Sequence, residues 1–142
     1  IQNALADDSM DGLIDAAHTL AAAIGAMQKV PVPGEAKFWS EWADPLAVVT
    51  RESATVATAS DIASARLAFG NLSVAFRPVV VALGVPPQYN GQVLAMHCPM
   101  FSRDQGGVVW LQRGEDVRNP YMGSAMLGCF DDRKAIPVTG TP

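Results

Sequence analysis

The sequence is short of charge: only 17% of its residues are Asp, Glu, Lys or Arg, and the formal net charge is −4. No basic patch with interleaved aromatics occurs, so a nucleic-acid partner is not expected. Long apolar runs are missing too. The longest, Pro78 to Pro87, is brief and punctuated by prolines, and it cannot span a bilayer. The chain begins at Ile1 with neither a methionine nor a basic-then-apolar leader, which points to a removed leader or a piece of a longer protein. No nucleotide-binding loop, metal-hydrolase motif, repeat or low-complexity tract is visible. Cysteine is scarce, at two residues. Two allow at most one disulfide and do not tell a reducing from an oxidising compartment.

What remains fits one domain spanning residues 1–142, long enough to bury its own core. The first 88 residues read as a helical scaffold. Leu13, Ala17, Leu20, Ile24 and Met27 recur at steps of three and four, one helical stripe over Asp11 to Met27. Asp7 and Asp8 precede it, where negative charge suits a helix N-terminus, and Pro31 and Pro33 end it. His18 falls off the stripe and is expected to be exposed. Phe38, Trp39 and Trp42 crowd a short amphipathic segment. Asp44 as N-cap and Pro45 as first helical residue predict a helix to about Ala59, with Leu46, Val49 and Val56 inward. Ser60-Asp61 caps the next helix. Its stripe, Ile62, Ala65, Phe69, Leu72, Phe76, Val79 and Leu83, is the most regular in the chain. Pro78 should kink that helix or mark its last turns.

After Pro87 the period changes. Val93 to His97 and Val108 to Gln112 are short, apolar and partly β-branched, and a polar connection from Ser102 to Gly107 joins them. They predict a β-ribbon. The whole is an α+β domain: a three- or four-helix bundle with a small C-terminal ribbon over residues 89–130, then a loose polar tail over 131–142. Asn119-Pro120 can open one or two helical turns through Cys129, which would put Met122, Met126 and Cys129 on one face.

Soft ligands are concentrated in this last third. Both cysteines, one of two histidines and three of six methionines fall in His97-Cys98-Pro99-Met100 and in the stretch from Asn119 to Cys129. If the first strand continues, Cys98 and Met100 share a side and His97 points away. Thiolates with thioethers suit Cu(I) or Ag(I), whereas Zn(II) would want further Cys or His ligands. Spacing leaves three readings open: metal binding, a Cys98–Cys129 disulfide, and buried free thiols. His97 and Cys98 would point apart, poor geometry for a catalytic pair, and no enzyme is expected.

The motifs His97-Cys98-Pro99-Met100, Trp110-Leu111-Gln112 and Asn119-Pro120-Tyr121-Met122-Gly123-Ser124-Ala125-Met126-Leu127-Gly128-Cys129 resemble a domain of formally unassigned function. That domain occurs alone in cell-envelope proteins and at the C-terminus of CusB-type copper/silver efflux membrane fusion proteins. The likeness extends weakly through Ala65-Arg66-Leu67-Ala68-Phe69 and Leu72-Ser73. It implies soft-metal ligands at Cys98, Met100, Met126 and Cys129, with Met122 and His97 as further candidates. The chain departs from the family pattern at Phe130, where glycine often follows the cysteine, and at Met122, where an aromatic is common. The likeness also implies a periplasmic or other cell-envelope location and an efflux adaptor or transporter as partner. The rival expectation is a disulfide-stapled docking domain without metal.

Overall fold

The structure is a computed structural model and describes residues 1–139. Five helices precede three strands: α1 (Gln2–Ala6), α2 (Leu13–Met27), α3 (Phe38–Glu41), α4 (Ala43–Ala57), α5 (Ile62–Leu83), β1 (Val93–Cys98), β2 (Val108–Arg113) and β3 (Asp132–Ala135). The α+β architecture is as the periodicity predicts. α4 packs against both α2 and α5, and α5 lies on β2.

The stripes do the packing. Leu13, Ala17 and Ile24 of α2, Leu46, Val49 and Val56 of α4, and Ala65, Phe69, Leu72 and Val79 of α5 are all buried in one cluster. Burial of these side chains is the main favourable term holding the helices together. Asp61 caps α5 through a reciprocal box: its carboxylate accepts from the Ser64 amide at 2.8 Å, and the Ser64 hydroxyl accepts from the Asp61 amide at 3.4 Å. Pro78 does not stop this helix, which runs on to Leu83. The carbonyl that loses its helical donor is that of Val74, a residue on the exposed side of the helix. By length and composition α5 could cross a bilayer. Its stripe here is instead the centre of the core.

Several boundaries differ from expectation. Residues Gln2–Ala6 form an unforeseen helix whose Leu5 is fully buried. Asp7 and Asp8 therefore follow α1 rather than cap α2, whose N-cap is Gly12. α4 starts at Ala43, so Asp44 lies in its first turn instead of capping it. His18 is exposed, as expected.

The ribbon is a three-stranded antiparallel sheet in the order β2-β1-β3. The third strand is a correction: residues Asp132–Ala135 are not loose tail but pair with β1, Met96 opposite Arg133 and His97 opposite Asp132. Ile136 is buried beyond it with Val85 and Ala95. Residues 140–142 of the expected tail lie outside the described residues. Register puts Met96 opposite Trp110 and Cys98 opposite Val108. Leu94, Met96 and Cys98, with Val108 and Trp110, thus face the main core, while Val93, Ala95 and Leu111 serve the smaller cluster behind.

Because Phe69 is 6% exposed at the centre of α5, Phe69→Ala is expected to cost about 3–5 kcal/mol in urea unfolding. A loss under about 0.5 kcal/mol, typical of surface changes, would show that the stripe is not the core.

Candidate metal centre

β1 ends at Cys98, which is fully buried. Cys129, thirty-one residues later, brings its sulfur to 3.7 Å from that of Cys98. Both are free thiols, and the contact is a thiol–thiol hydrogen bond. Cys129 is the outer member, 8% exposed.

Two devices bring Cys129 there. Asn119 has no exposed surface. Its side-chain oxygen accepts from the amides of Tyr121 (2.8 Å) and Met122 (3.0 Å), and its Nδ2 donates to the Cys129 carbonyl at 2.6 Å. Its own amide donates to the Leu127 carbonyl at 3.0 Å. One buried side chain thus closes the whole loop, as an Asx residue can. Tyr121 then fastens the loop to the sheet: its hydroxyl donates to the Val109 carbonyl at 2.5 Å, and its ring stacks on Phe101 at 4.6 Å. Burial drives the Tyr121 phenol well above its ordinary range.

This loop is not the helix that the spacing suggested. Only a single 3₁₀ turn forms, Gly123–Ala125. Asn119 does cap a first turn, its side chain accepting from the Tyr121 and Met122 amides and its carbonyl from the Gly123 amide at 3.2 Å. Beyond that turn Gly123 takes φ +56° and the Asp8 carboxylate accepts from the Ser124 amide at 2.8 Å, and these two features divert the backbone from helical pairing. Met122, Met126 and Cys129 therefore do not share a helical face. Met122 is half-buried against the main core, and Met126 is 43% exposed. Met100 is not in β1 either, because the strand stops two residues earlier; it is 47% exposed. Both stay close to Cys129 through their backbones. The Met100 amide donates toward the Cys129 sulfur, and the Cys129 amide donates to the Met126 carbonyl at 3.1 Å.

His97 points to the other face of the sheet, as strand alternation requires. Its Nδ1 lies 2.6 Å from Asp131 Oδ1 and its Nε2 3.0 Å from the Gly106 carbonyl. Both partners are acceptors, so the imidazolium satisfies both and the neutral ring only one. With both nitrogens engaged, His97 serves as a clasp between the β1–β2 hairpin and the segment entering β3. Gly107 lies beneath it at φ +90°, where a Cβ would come within 2.6 Å of His97 Nε2.

Among the described residues, no three or more His, Cys, Asp or Glu side chains are placed to share a metal ion. The candidate donors brought together are the two thiols, with Met100 and Met126 joined to Cys129 through backbone groups. Burial, then the hydrogen bond to Cys98, raises the Cys129 thiol above its usual value; the Met100 amide opposes this weakly. The raised Cys129 thiol is thus held in its protonated form at neutral pH.

Three residues, Gln112, Arg66 and Asp8, make contacts that the sequence did not foretell. Gln112 is buried, accepting from Trp110 Nε1 at 3.1 Å and donating to the carbonyls of Gly114 (3.2 Å) and Asp116 (3.0 Å). Its signal was its place two residues after Trp110, on the same strand face. Arg66 donates to the Pro120 and Leu5 carbonyls, each at 2.8 Å, and to Asp8 at 2.5 Å. No local pattern reveals a contact across fifty-four residues. Hydrogen bonds from Ser124 and Arg66 hold the Asp8 carboxyl down at about 2.

Comparison of the chain with family models, with curated proteins and with solved structures found no match.

Asn119→Ala is expected to lower unfolding free energy by about 2 kcal/mol or more, since it strips partners from three buried backbone groups. A loss under about 0.5 kcal/mol would show that the loop closes without it. The raised Cys129 thiol gives a pH dependence of stated sign. A thiol raised by folding stabilises the fold below the unfolded thiol value, and that contribution is lost as pH rises through the folded one. The urea midpoint should fall above about pH 8.5. Cys129→Ser should flatten that fall; an equally steep fall in the variant would assign it elsewhere.

Proposed function

We propose that this domain binds one soft monovalent ion, Cu(I) or Ag(I), with Cys98 and Cys129 as thiolate ligands. Met100 and Met126 supply thioethers from the adjoining backbone, and Met122 stands in reserve. The carrying observation is the approach of the two sulfurs to 3.7 Å. With metal–sulfur bonds of about 2.3 Å, that gap corresponds to a sulfur–metal–sulfur angle of about 107°. A linear dithiolate would need the sulfurs about 4.6 Å apart. The bent geometry leaves room for a thioether, and neutral thioethers bias a site toward soft monovalent ions. His97 is not proposed as a ligand, because both ring nitrogens are already engaged.

The resemblance of the His97-to-Met100 and Asn119-to-Cys129 motifs to a domain of copper/silver efflux adaptors supports a setting. In it the domain is a binding module, not an enzyme, in the periplasm or elsewhere in the cell envelope, and its partner is an efflux adaptor or transporter. The same sulfur contact supports one rival reading, a disulfide-stapled docking domain without metal. Closure from 3.7 Å to a bond of about 2 Å needs only a small shift of either side chain.

Because each cysteine must bind as thiolate, loading should release protons and tighten as pH rises. Competition against a Cu(I) chelator, wild type beside the Cys98→Ser/Cys129→Ser double variant, measures the affinity. A drop of at least 100-fold in the variant is expected. Equal affinities would exclude this site. A reductant-free preparation with no titratable thiol would favour the staple.

A further inference from the structure

The loop bearing Cys129 is held from outside as well as from within. Arg66, on α5, reaches the Pro120 carbonyl through Nε at 2.8 Å. Its Nη2 donates to Asp8 Oδ1 at 2.5 Å and to the Leu5 carbonyl at 2.8 Å. The other carboxylate oxygen of Asp8 accepts from the Ser124 amide at 2.8 Å. One ion pair therefore fixes both Pro120 and Ser124, the two shoulders of the turn that leads into Met126 and Cys129. A second strut lies alongside: Arg118 pairs with Asp7, and Gln2 Nε2 donates to the Arg118 carbonyl at 2.5 Å. The fit is tight. Asp8 itself sits at φ +54°, in the left-handed region that Asp enters more readily than most residues. Gly123 abuts the pair so closely that a Cβ there would overlap both the Asp8 carboxylate and the Arg66 guanidinium.

None of these groups touches sulfur. Their effect is transmitted through a loop with one 3₁₀ turn and no strand of its own, whose position is only as fixed as its attachments. We propose that Asp8 and Arg66 are positioning residues for the Cys98–Cys129 pair: the N-terminal segment, clamped through them to Pro120 and Ser124, sets the separation of the two sulfurs and so makes them one chelating unit. Releasing the clamp lets Cys129 drift from Cys98, which stays fixed in β1. The pair then behaves as two separate thiols. The inference rests on the proposed soft-metal site for its biological meaning, while the juxtaposition of the sulfurs is testable without it.

The test uses the full chain, reduced, with two probes. Ag(I) affinity by chelator competition reads the proposed function. Bridging by phenylarsine oxide, scored by mass spectrometry as one arsenic across two thiols, reads sulfur proximity alone. Asp8→Ala and Arg66→Lys remove the clamp, the second keeping the charge but losing the planar fork. Asp8→Asn retains an acceptor for Ser124. Val49→Ala, in the core and remote from the loop by sequence and element, controls for general destabilisation. Asp8→Ala and Arg66→Lys should each lower bridging rate and Ag(I) affinity tenfold or more. Asp8→Asn should recover at least part of both, and Val49→Ala should stay within twofold of wild type. Unchanged bridging in Asp8→Ala, or an equal loss in Val49→Ala, would overturn the proposal. Should wild type bind Ag(I) no better than the cysteine-free variant while bridging still collapses in Asp8→Ala, the clamp stands and the metal reading falls.

Discussion

The site depends on a buried amide that has to be satisfied. Asn119 has no access to water, and a buried amide without partners costs a few kcal/mol. Each of its polar atoms is accordingly spent on the backbone of one short loop, including the carbonyl of Cys129. The loop has almost no regular structure and few internal alternatives. Closing it around Asn119 is what turns two cysteines far apart in the chain into neighbours. The chemistry of the sulfurs is thus subordinate to a hydrogen-bonding requirement ten residues upstream.

The rest of the molecule supplies the wall against which that loop closes. α5 packs on β2, and the sheet alternates so that Trp110 and Cys98 point inward together. Tyr121 bridges the two layers, its ring within 6.1 Å of Trp110 and 5.9 Å of Phe69. Aromatic contacts of this kind add modestly to what their burial contributes. Their larger role here is geometric, because Tyr121 sits two residues from Asn119 and is thereby fixed in depth and direction.

Helical periodicity made the scaffold legible. The stripes of α2, α4 and α5 lie inward where the three-four spacing puts them, and the change of period after Pro87 marks the sheet. What was not legible depended on distant partners. β3 is polar and entirely exposed, so no hydrophobic alternation announced it; β1 recruits it through backbone pairing. The stretch from Tyr121 to Cys129 has sound helical spacing and Asn119 caps its first turn, yet Gly123 turns to positive φ and the distant Asp8 carboxylate takes the Ser124 amide that a helix would need. The two segments singled out by the motifs do bring their cysteine sulfurs together, at 3.7 Å. His97, a further candidate by its motif, is engaged elsewhere, and its partners, Asp131 and Gly106, lie in segments read as tail and polar connection. Cross-chain ties such as Arg66 to Pro120 leave no mark in a local pattern.

Two glycines carry a consequence for how such domains diverge. Gly107 and Gly123 both have positive φ, and each is pressed against polar groups at a distance no methyl could occupy. Any other residue adds a Cβ: at Gly107 it would overlap the Cys98 carbonyl, which is backbone, and at Gly123 it would displace the Asp8 and Arg66 side chains. Met100 and Met126, at the surface, are free to drift as far as packing is concerned. Two lineages of this fold could therefore exchange their soft ligands entirely and still be aligned on these glycines. A search for distant kin is better anchored on the hairpin and loop glycines, with Asn119 between them, than on sulfur.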